Sequence, residues 1–464
     1  MKISTVSTNP EVIRERYTHG GAVADIITPE QELRRTVLSC LLWEDDFYES
    51  GESIASRIVK AATLVPVETV CALAIEAREK FHLRRVPLLL LTVAIGRGSG
   101  NTLIQDTISR VIQRPDELVE LVSLYWRDGK RPLSAQMKKG LARAFKRFNA
   151  YSLAKYNRNT PVKLRDVLFL CHAKPKDEEQ ALVWKHLVDG SLQSPDTWEV
   201  GLMTGGDKKK VFERLLFENK LGYMALLRNL RNMVQAGVKE DMVKEAILAR
   251  KGAEQVLPFR FFTAAKHAPE YEEYLDKAMV AQVSSMPKLP GKTIVIVDIS
   301  GSMGGPLSSK SEVTRQYAAC AMAAILREVC EEVSIYATAG DDGSRKHATA
   351  LVPPRHGMAL IEAISGSVKT LGWGGIFLKQ VMDFIELNEK DIDRVVVITD
   401  EQDCANFPED MPSNAKPLGK TRYMLNVGTS RNGISYDKWV HINGFSESAL
   451  TFIAEWEEAT SASK

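Results

Sequence analysis

The chain has 464 residues, 44% apolar and 26% charged, with a formal net charge of +2; this is an ordinary globular composition in a chain too long for one compact core. No stretch approaches the ~20 uncharged apolar residues of a membrane-spanning helix, and "MKISTVSTNPEVIRERY" at the start has no apolar signal core, so neither membrane insertion nor secretion is expected. Six cysteines, at 40, 71, 171, 320, 330 and 404, lie mostly in apolar runs without a C-x-x-C; they read as buried thiols of a reducing, cytoplasmic compartment rather than a disulfide frame or a zinc site.

Residues 30–280 carry almost no strand signature. Apolar residues recur at three- and four-residue spacing in "ELRRTVLSCLLW" (32–43), "VETVCALAIEAREK" (67–80), "VPLLLLTVAIG" (86–96) and "AQMKKGLARAF" (135–145). Short breakers such as "RGSGN", "QRPDE" and "RDGKRPLS" separate them. Many short helices joined by tight turns describe an α-solenoid or helical array, although no strict sequence period is visible. "VPLLLLTVAIG" reads as a core helix flanked by Arg84, Arg85 and Arg97, "EDD" (44–46) as a solvated helix end, and Trp43, Phe47 and Tyr48 as core.

Charge is distributed unevenly. Residues 1–290 hold 44 Lys and Arg against 36 Asp and Glu, a net +8, whereas residues 291–464 hold 17 against 23, a net −6. Between Arg131 and Arg165 stand ten cations and no acid, among them Lys138, Lys139, Arg143, Lys146, Arg147, Lys155 and Arg158, with Tyr151 and Tyr156 interleaved. Lys174, Lys176 and the run Lys208–Lys210 follow downstream. A solvated face usually mixes signs, so a one-signed field points to a polyanion. Tyrosines among the cations suit stacking on unpaired bases. An acidic protein partner, or a face without a ligand, remains open on composition alone.

The sign of the charge changes near "SSMPKLPGK" (284–292), which reads as a linker. Beyond it, "TIVIVD" (293–298), "VSIYAT" (333–338), "RVVVITD" (394–400) and "RYMLNVG" (422–428) are β-rich runs without polar alternation, as central strands covered on both faces require. Helical segments at 311–329, 357–368, 376–387 and 448–459 alternate with them. The pattern predicts a doubly wound, mainly parallel α/β sheet, with ligands beyond the carboxyl ends of its strands. Asp298 and Asp400 stand at two such ends.

"VDISGSMGG" (297–305) therefore carries the candidate chemistry of this half. It lacks the first glycine of a G-x-S-x-G nucleophile elbow, and "GGPLSSKS" has Ser309 where a phosphate loop needs its second glycine. Asp298, Ser300 and Ser302 supply hard oxygens suited to magnesium, with Asp400 closing the site from another strand. The same side chains would equally cap the following helix. No base lies in the motif beside Ser300 or Ser302, so no catalysis is expected.

The D-x-S-x-S loop after a first buried strand resembles the metal-ion-dependent adhesion site of von Willebrand factor A domains, which implies Asp298, Ser300, Ser302 and Asp400 as the set around a divalent cation, Mg2+. The family's threonine falls in "GWGGIF", where this chain has Ile376. "QELRRTVLSCLLWEDDFYESG" (31–51), "LAKYNRNTPVKLRDVLFLCHAKP" (153–175), "LGYMALLRNLRNM" (221–233) and "LPFRFFTAAK" (257–266) are similar to the TROVE module of the Ro autoantigen family. The order of the two parts is also that family's. The resemblance implies a ring of HEAT-like repeats over residues 1–285 and an A-like domain over 291–464, together a monomer. It implies Y RNA-like small noncoding RNAs on an outer surface, and single-stranded 3′ ends of misfolded RNAs in a basic cavity. The role implied is RNA quality control as a ribonucleoprotein, with an exoribonuclease as a possible partner. Lys155 and His172 match RNA-contact positions; Arg158 stands one place before the family's arginine, and "NTPV" replaces its "NGW". Arg228, Arg231 and Arg260 lie in family-like motifs and would serve either RNA or helix contacts. The alternative is a scaffold that recruits a protein through the metal, with RNA binding incidental.

Overall fold

The computed structural model describes residues 17–25, 27–39, 50–203, 205–256, 258–284, 288–307, 313–428, 430, 432–436, 438–444 and 448–462. Trp43, the "EDD" run, Phe47, Tyr48 and Cys40 lie outside the described residues, as do Ser309, Lys310 and Ser311 of the phosphate-loop comparison. The described helices of the first part are α1 (Pro29–Ser39), α2 (Gly51–Leu64), α3 (Val67–Glu79), α4 (Arg85–Arg97), α5 (Leu103–Val111), α6 (Pro115–Tyr125), α7 (Ala135–Phe145), α8 (Ala150–Tyr156), α9 (Leu164–Leu170), α10 (Glu178–Asp189), α11 (Trp198–Met203), α12 (Lys208–Phe217), α13 (Tyr223–Gln235), α14 (Glu240–Ala249), α15 (Phe259–His267) and α16 (Glu272–Val283). The second part comprises β1 (Leu289–Asp298), α17 (Arg315–Val329), β2 (Cys330–Asp341), β3 (Lys346–Leu351), α18 (Gly357–Gly366), α19 (Val368–Leu371), α20 (Leu378–Asn388), β4 (Arg394–Thr399), β5 (Thr421–Asn426), β6 (Val440–Asn443) and α21 (Ser448–Ala462). The helical array followed by a doubly wound α/β domain is the architecture expected from periodicity. Helix gives way to sheet between Val283 and Leu289, but the chain divides into compact units elsewhere: residues 52–206 form one, and the N-terminal segment with residues 207–464 forms the other.

In the unit of residues 52–206, helices pack chiefly on near neighbours in sequence: α3 on α4 and α5, α4 on α6, α5 on α7, and α9 on α6. This locality is what a helical array requires. α4 is apolar all round, with Val86, Leu88, Leu89, Leu90, Leu91, Val93 and Ile95 buried, as a central helix must be. Among the described residues no helix is long and apolar enough to cross a membrane. α5 and α7 approach so closely at Gly140 that a Cβ there would lie 2.7 Å from the Cβ of Ile108.

The polar centre of this unit is Glu117. Its buried carboxylate accepts from Arg78 Nη2 at 2.8 and 3.2 Å, and from the backbone N–H of Gln113 and Arg114 at 2.8 and 3.0 Å. It thereby caps α6, and Arg78 Nε donates to the carbonyl of Val111 at the end of α5 at 3.0 Å. Three helices are joined through one ion pair. Glu117→Ala should destabilise the protein by about 3–5 kcal/mol, because the Arg78 charge would stay buried without its partner; denaturant midpoints measure this.

In the other unit α15 and α16 pack on α17 and α18, and the Tyr317 hydroxyl donates to the carbonyl of Phe262 at 2.8 Å. The six-stranded sheet has the order β3-β2-β1-β4-β5-β6. Every neighbouring pair is parallel except β2 and β3. Alternate residues of the central strands, such as Ile294, Ile296, Val395 and Val397, pack against Leu378, Val381 and Ile385 of α20. The residues between them, Val295, Val297, Val396 and Ile398, are equally buried, with α17 packed against β1 and β2. Burial on both faces explains the uninterrupted apolar runs. β3 and β6 carry no such run: β3 is a half-exposed antiparallel strand at the sheet's edge, and β6 has four residues.

Asp276 of α16 is half-buried against the first turn of α18, where Gly357 adopts φ +54° and a Cβ would lie 2.5 Å from Asp276 Oδ2. Burial raises its carboxyl to about 6, opposed by a hydrogen bond from the Met358 N–H. A folded-state value above the unfolded one favours folding at low pH. Asp276 should therefore remove stability as pH rises from about 4 to about 6. Thermal melts of Asp276→Asn should show that part of the profile flattened.

Candidate functional site

The order β3-β2-β1-β4-β5-β6 places the topological switch between β1 and β4, the point beyond whose strand ends sheets of this kind form a crevice. Asp298 is the last residue of β1, and Asp400 follows β4 directly. Both side chains are fully buried. Asp298 Oδ1 accepts from the Ser300 N–H at 2.8 Å and Oδ2 from the Thr399 hydroxyl at 2.6 Å. Burial, and next the nearby Asp400 charge, push the Asp298 carboxyl up to about 7. The hydroxyls of Ser300 and Ser302 lie 3.3 Å apart. The four residues expected from the motif thus share one crevice.

Two neighbours change its chemistry. Ile376 is 1% exposed, and its carbonyl accepts from the Cys404 N–H at 2.9 Å, so an apolar side chain stands where the A-domain pattern has a hydroxyl. The glycines before it are there for space: a Cβ on Gly374 would lie 2.1 Å from the carbonyl oxygen of Gly340, and one on Gly375 1.9 Å from Cys404 Sγ. Arg315, in the first turn of α17, is 1% exposed. Its Nη1 donates to the Ser302 carbonyl at 3.3 Å and lies 3.9 Å from Asp400 Oδ2. Arg315 and Thr399 do not stand out in the sequence; a cation opening the apolar run "RQYAACAMAAIL" is the visible signal for the first.

The N-terminal segment docks beside this crevice. Thr18 donates to the Asp403 carbonyl at 2.6 Å, and the His19 N–H to Gln402 Oε1 at 2.8 Å. From α1, the fully buried Arg35 donates to Glu401 Oε2 at 2.6 Å, Tyr436 Oη at 2.9 Å and the Ser430 carbonyl at 2.8 Å. Glu401 has φ +61°, and His441 Nδ1, its ring stacked on Tyr436 at 3.7 Å, lies 3.1 Å from its other oxygen. Burial opposes ionisation of Glu401, but the Arg35 and His441 charges hold its carboxyl below the usual range.

The basic candidates of residues 138–174 fall on and around α7, α8 and α9. Ser134 and Asn149 cap α7 and α8, their side chains accepting from Met137 and Ser152 N–H at 3.2 and 2.9 Å. Two of the cations serve the fold as well. Arg143 pairs with Asp106, and Arg147 donates to the carbonyls of Ser109 and Ile112 at the end of α5. Lys139, Lys146, Arg158, His172 and Lys174 are exposed, and Lys138 and Lys155 are half-buried. These lysines and Arg158 make no ion pair among the described residues. His172 ends α9 at φ +51°, which turns the chain out of the helix.

Of the tyrosines expected to stack, Tyr151 is 52% exposed, whereas Tyr156 is already covered by the Arg114 guanidinium at 4.3 Å. Phe169, at 61% exposure, is a second bare ring that the sequence conceals, because it sits in the apolar run "VLFL". The Lys208–Lys210 run forms the exposed first turn of α12, where the helix dipole disfavours cations.

A further basic concavity lies in the other unit. Arg228 and Arg231, one turn apart on α13, face Arg260 and His267 of α15 across a cavity of about 430 Å³ whose lining includes no acidic residue among the described ones. Arg228 and Arg231 make no ion pair among the described residues.

A family model described as "TROVE domain" matches residues 189–349, from the end of α10 through β1 and β2 into β3. Two curated relatives are telomerase protein component 1 of Rattus norvegicus, 36% identical over 78 residues, and of Mus musculus, 34% over 89. These stretches cover 16% and 18% of this chain and 3% of each relative, so the chain spans only a small part of those proteins. The crystal structure of the Ro (Rsr) protein of Deinococcus radiodurans matches over 91% of this chain and 98% of that one, with TM-score 0.59 and 17% identity. The chain thus holds a stretch that matches the TROVE domain, and it shares its fold with the Ro protein of Deinococcus radiodurans.

Proposed function

We propose that this protein binds RNA in the manner of the Ro family, through its cationic surfaces rather than by catalysis. The observation that carries this reading is the exposure of α7–α9: these helices and their loops carry exposed cations without ion-pair partners among the described residues, together with the exposed rings of Tyr151 and Phe169. Cations bind phosphates without regard to sequence, and exposed aromatic rings stack on unpaired bases. Structured small RNAs of the Y type are assigned to this surface, through Lys155, Arg158, His172 and Lys174. Single-stranded 3′ ends of misfolded RNAs are assigned to the arginine cavity, which suits a flexible phosphate chain and rejects acidic side chains. RNA quality control, with an exoribonuclease acting on the presented ends, is the role that joins the two.

Gel shifts with a structured RNA, with and without a single-stranded 3′ tail, test this. Lys155→Ala with His172→Ala should weaken both complexes about tenfold and lower the salt slope by about one for each phosphate that is no longer neutralised. Arg228→Ala with Arg231→Ala should weaken only the tailed RNA. Unchanged affinity and salt slope in the first variant would remove the α7–α9 surface from consideration.

A further inference from the structure

The crevice at the end of β1 resembles a divalent-cation site in sequence, but its residues do not complete one. Where the pattern has a threonine this chain has Ile376, a buried apolar side chain that offers no oxygen. Each oxygen of Asp298 already accepts a protein hydrogen bond, one from the Ser300 N–H and one from the Thr399 hydroxyl. A fixed positive charge is also present, since Arg315 Nη1 lies 3.9 Å from Asp400 Oδ2 and donates to the carbonyl of Ser302 within the loop itself.

We propose that this domain carries its own cation, with the Arg315 guanidinium standing in for the metal ion. A guanidinium cannot lose its proton in a protein, so the charge is permanent. Two like charges a few ångströms apart in a buried site repel strongly, so a dication would have to enter against Arg315. The guanidinium also does what a bound metal would do for the fold: it ties the loop after β1 to the carboxylate after β4. Arg315 is held in place from the backbone side, its N–H donating to the Gly305 carbonyl at 3.0 Å. The loop is then a metal-independent closure of the sheet's switch point, and any partner of this face is recognised without a metal's open coordination position. This inference is independent of the RNA-binding reading.

Electron paramagnetic resonance of Mn2+ titrated into the full chain, with thermal melts in EDTA and in Mg2+, provides the test. The expected result is an undiminished free-Mn2+ signal and the same melting temperature in both buffers. In EDTA, Arg315→Gln should melt below wild type and Arg315→Lys between the two, because lysine restores the charge. Replacing Arg315 by Gln and Ile376 by Thr together should create Mn2+ affinity at least about tenfold above wild type. Uptake of one equivalent of Mn2+ by the wild-type protein, abolished by Asp298→Asn, would overturn the proposal. So would an Arg315→Gln protein as stable in EDTA as wild type. The wild-type titration decides the matter even if a substituted chain does not fold.

Discussion

The buried pair of Arg35 and Glu401 is the constraint around which the α/β-containing unit is organised. One guanidinium from α1 reaches four groups on the loops beyond β4 and β5: Glu401, Tyr436 and the carbonyls of Ser430 and Asp400. Burying a charge is costly unless it is paired and its hydrogen bonds are met. Here both conditions hold, and Glu401 accepts the strained backbone of φ +61° that brings its carboxylate to the arginine. Because the pair abuts Asp400, the same contact sets the conformation of the chain at the mouth of the crevice.

Charge is used in two ways. Some cations are internal: Arg35, Arg78, Arg315 and Arg394 are all buried and bonded to carboxylates or carbonyls. Around α7–α9, Arg143 and Arg147 follow that pattern, but Lys139, Lys146, Arg158 and Lys174 extend into solvent. A cation bound to an internal carbonyl offers less field to a ligand than one in solvent. The functional weight of the acid-free stretch thus rests on fewer residues than its ten cations suggest.

Much of the architecture is legible in the sequence. Helical periodicity before residue 284 and uninterrupted β-branched runs after it identify the helical array and the parallel sheet, because a strand covered on both faces needs apolar residues at every position. β3 and β6 are hidden for the converse reason: an edge strand with exposed residues and a strand of four residues leave no apolar run. In the crevice, Asp298, Ser300 and Ser302 are legible as neighbours because they are two residues apart on one loop. Asp400 joins them on paper only because strand ends converge at a switch point.

By itself, the sequence determined the element types, the change of charge sign between the two parts, the acid-free basic stretch and the loop motif, since all of these depend on residues close together along the chain. Tertiary structure alone decided which cations are consumed. Arg315 lies against Asp400, Arg35 against Glu401 and Arg147 against the end of α5, each pair 35 to 366 residues apart in sequence or joined across separate elements. The same holds for the cavity of Arg228, Arg231 and Arg260, which exists only because α13 and α15 turn these side chains toward one space. Whether a charge is paired depends on distances of a few ångströms, and only the folded chain sets those distances.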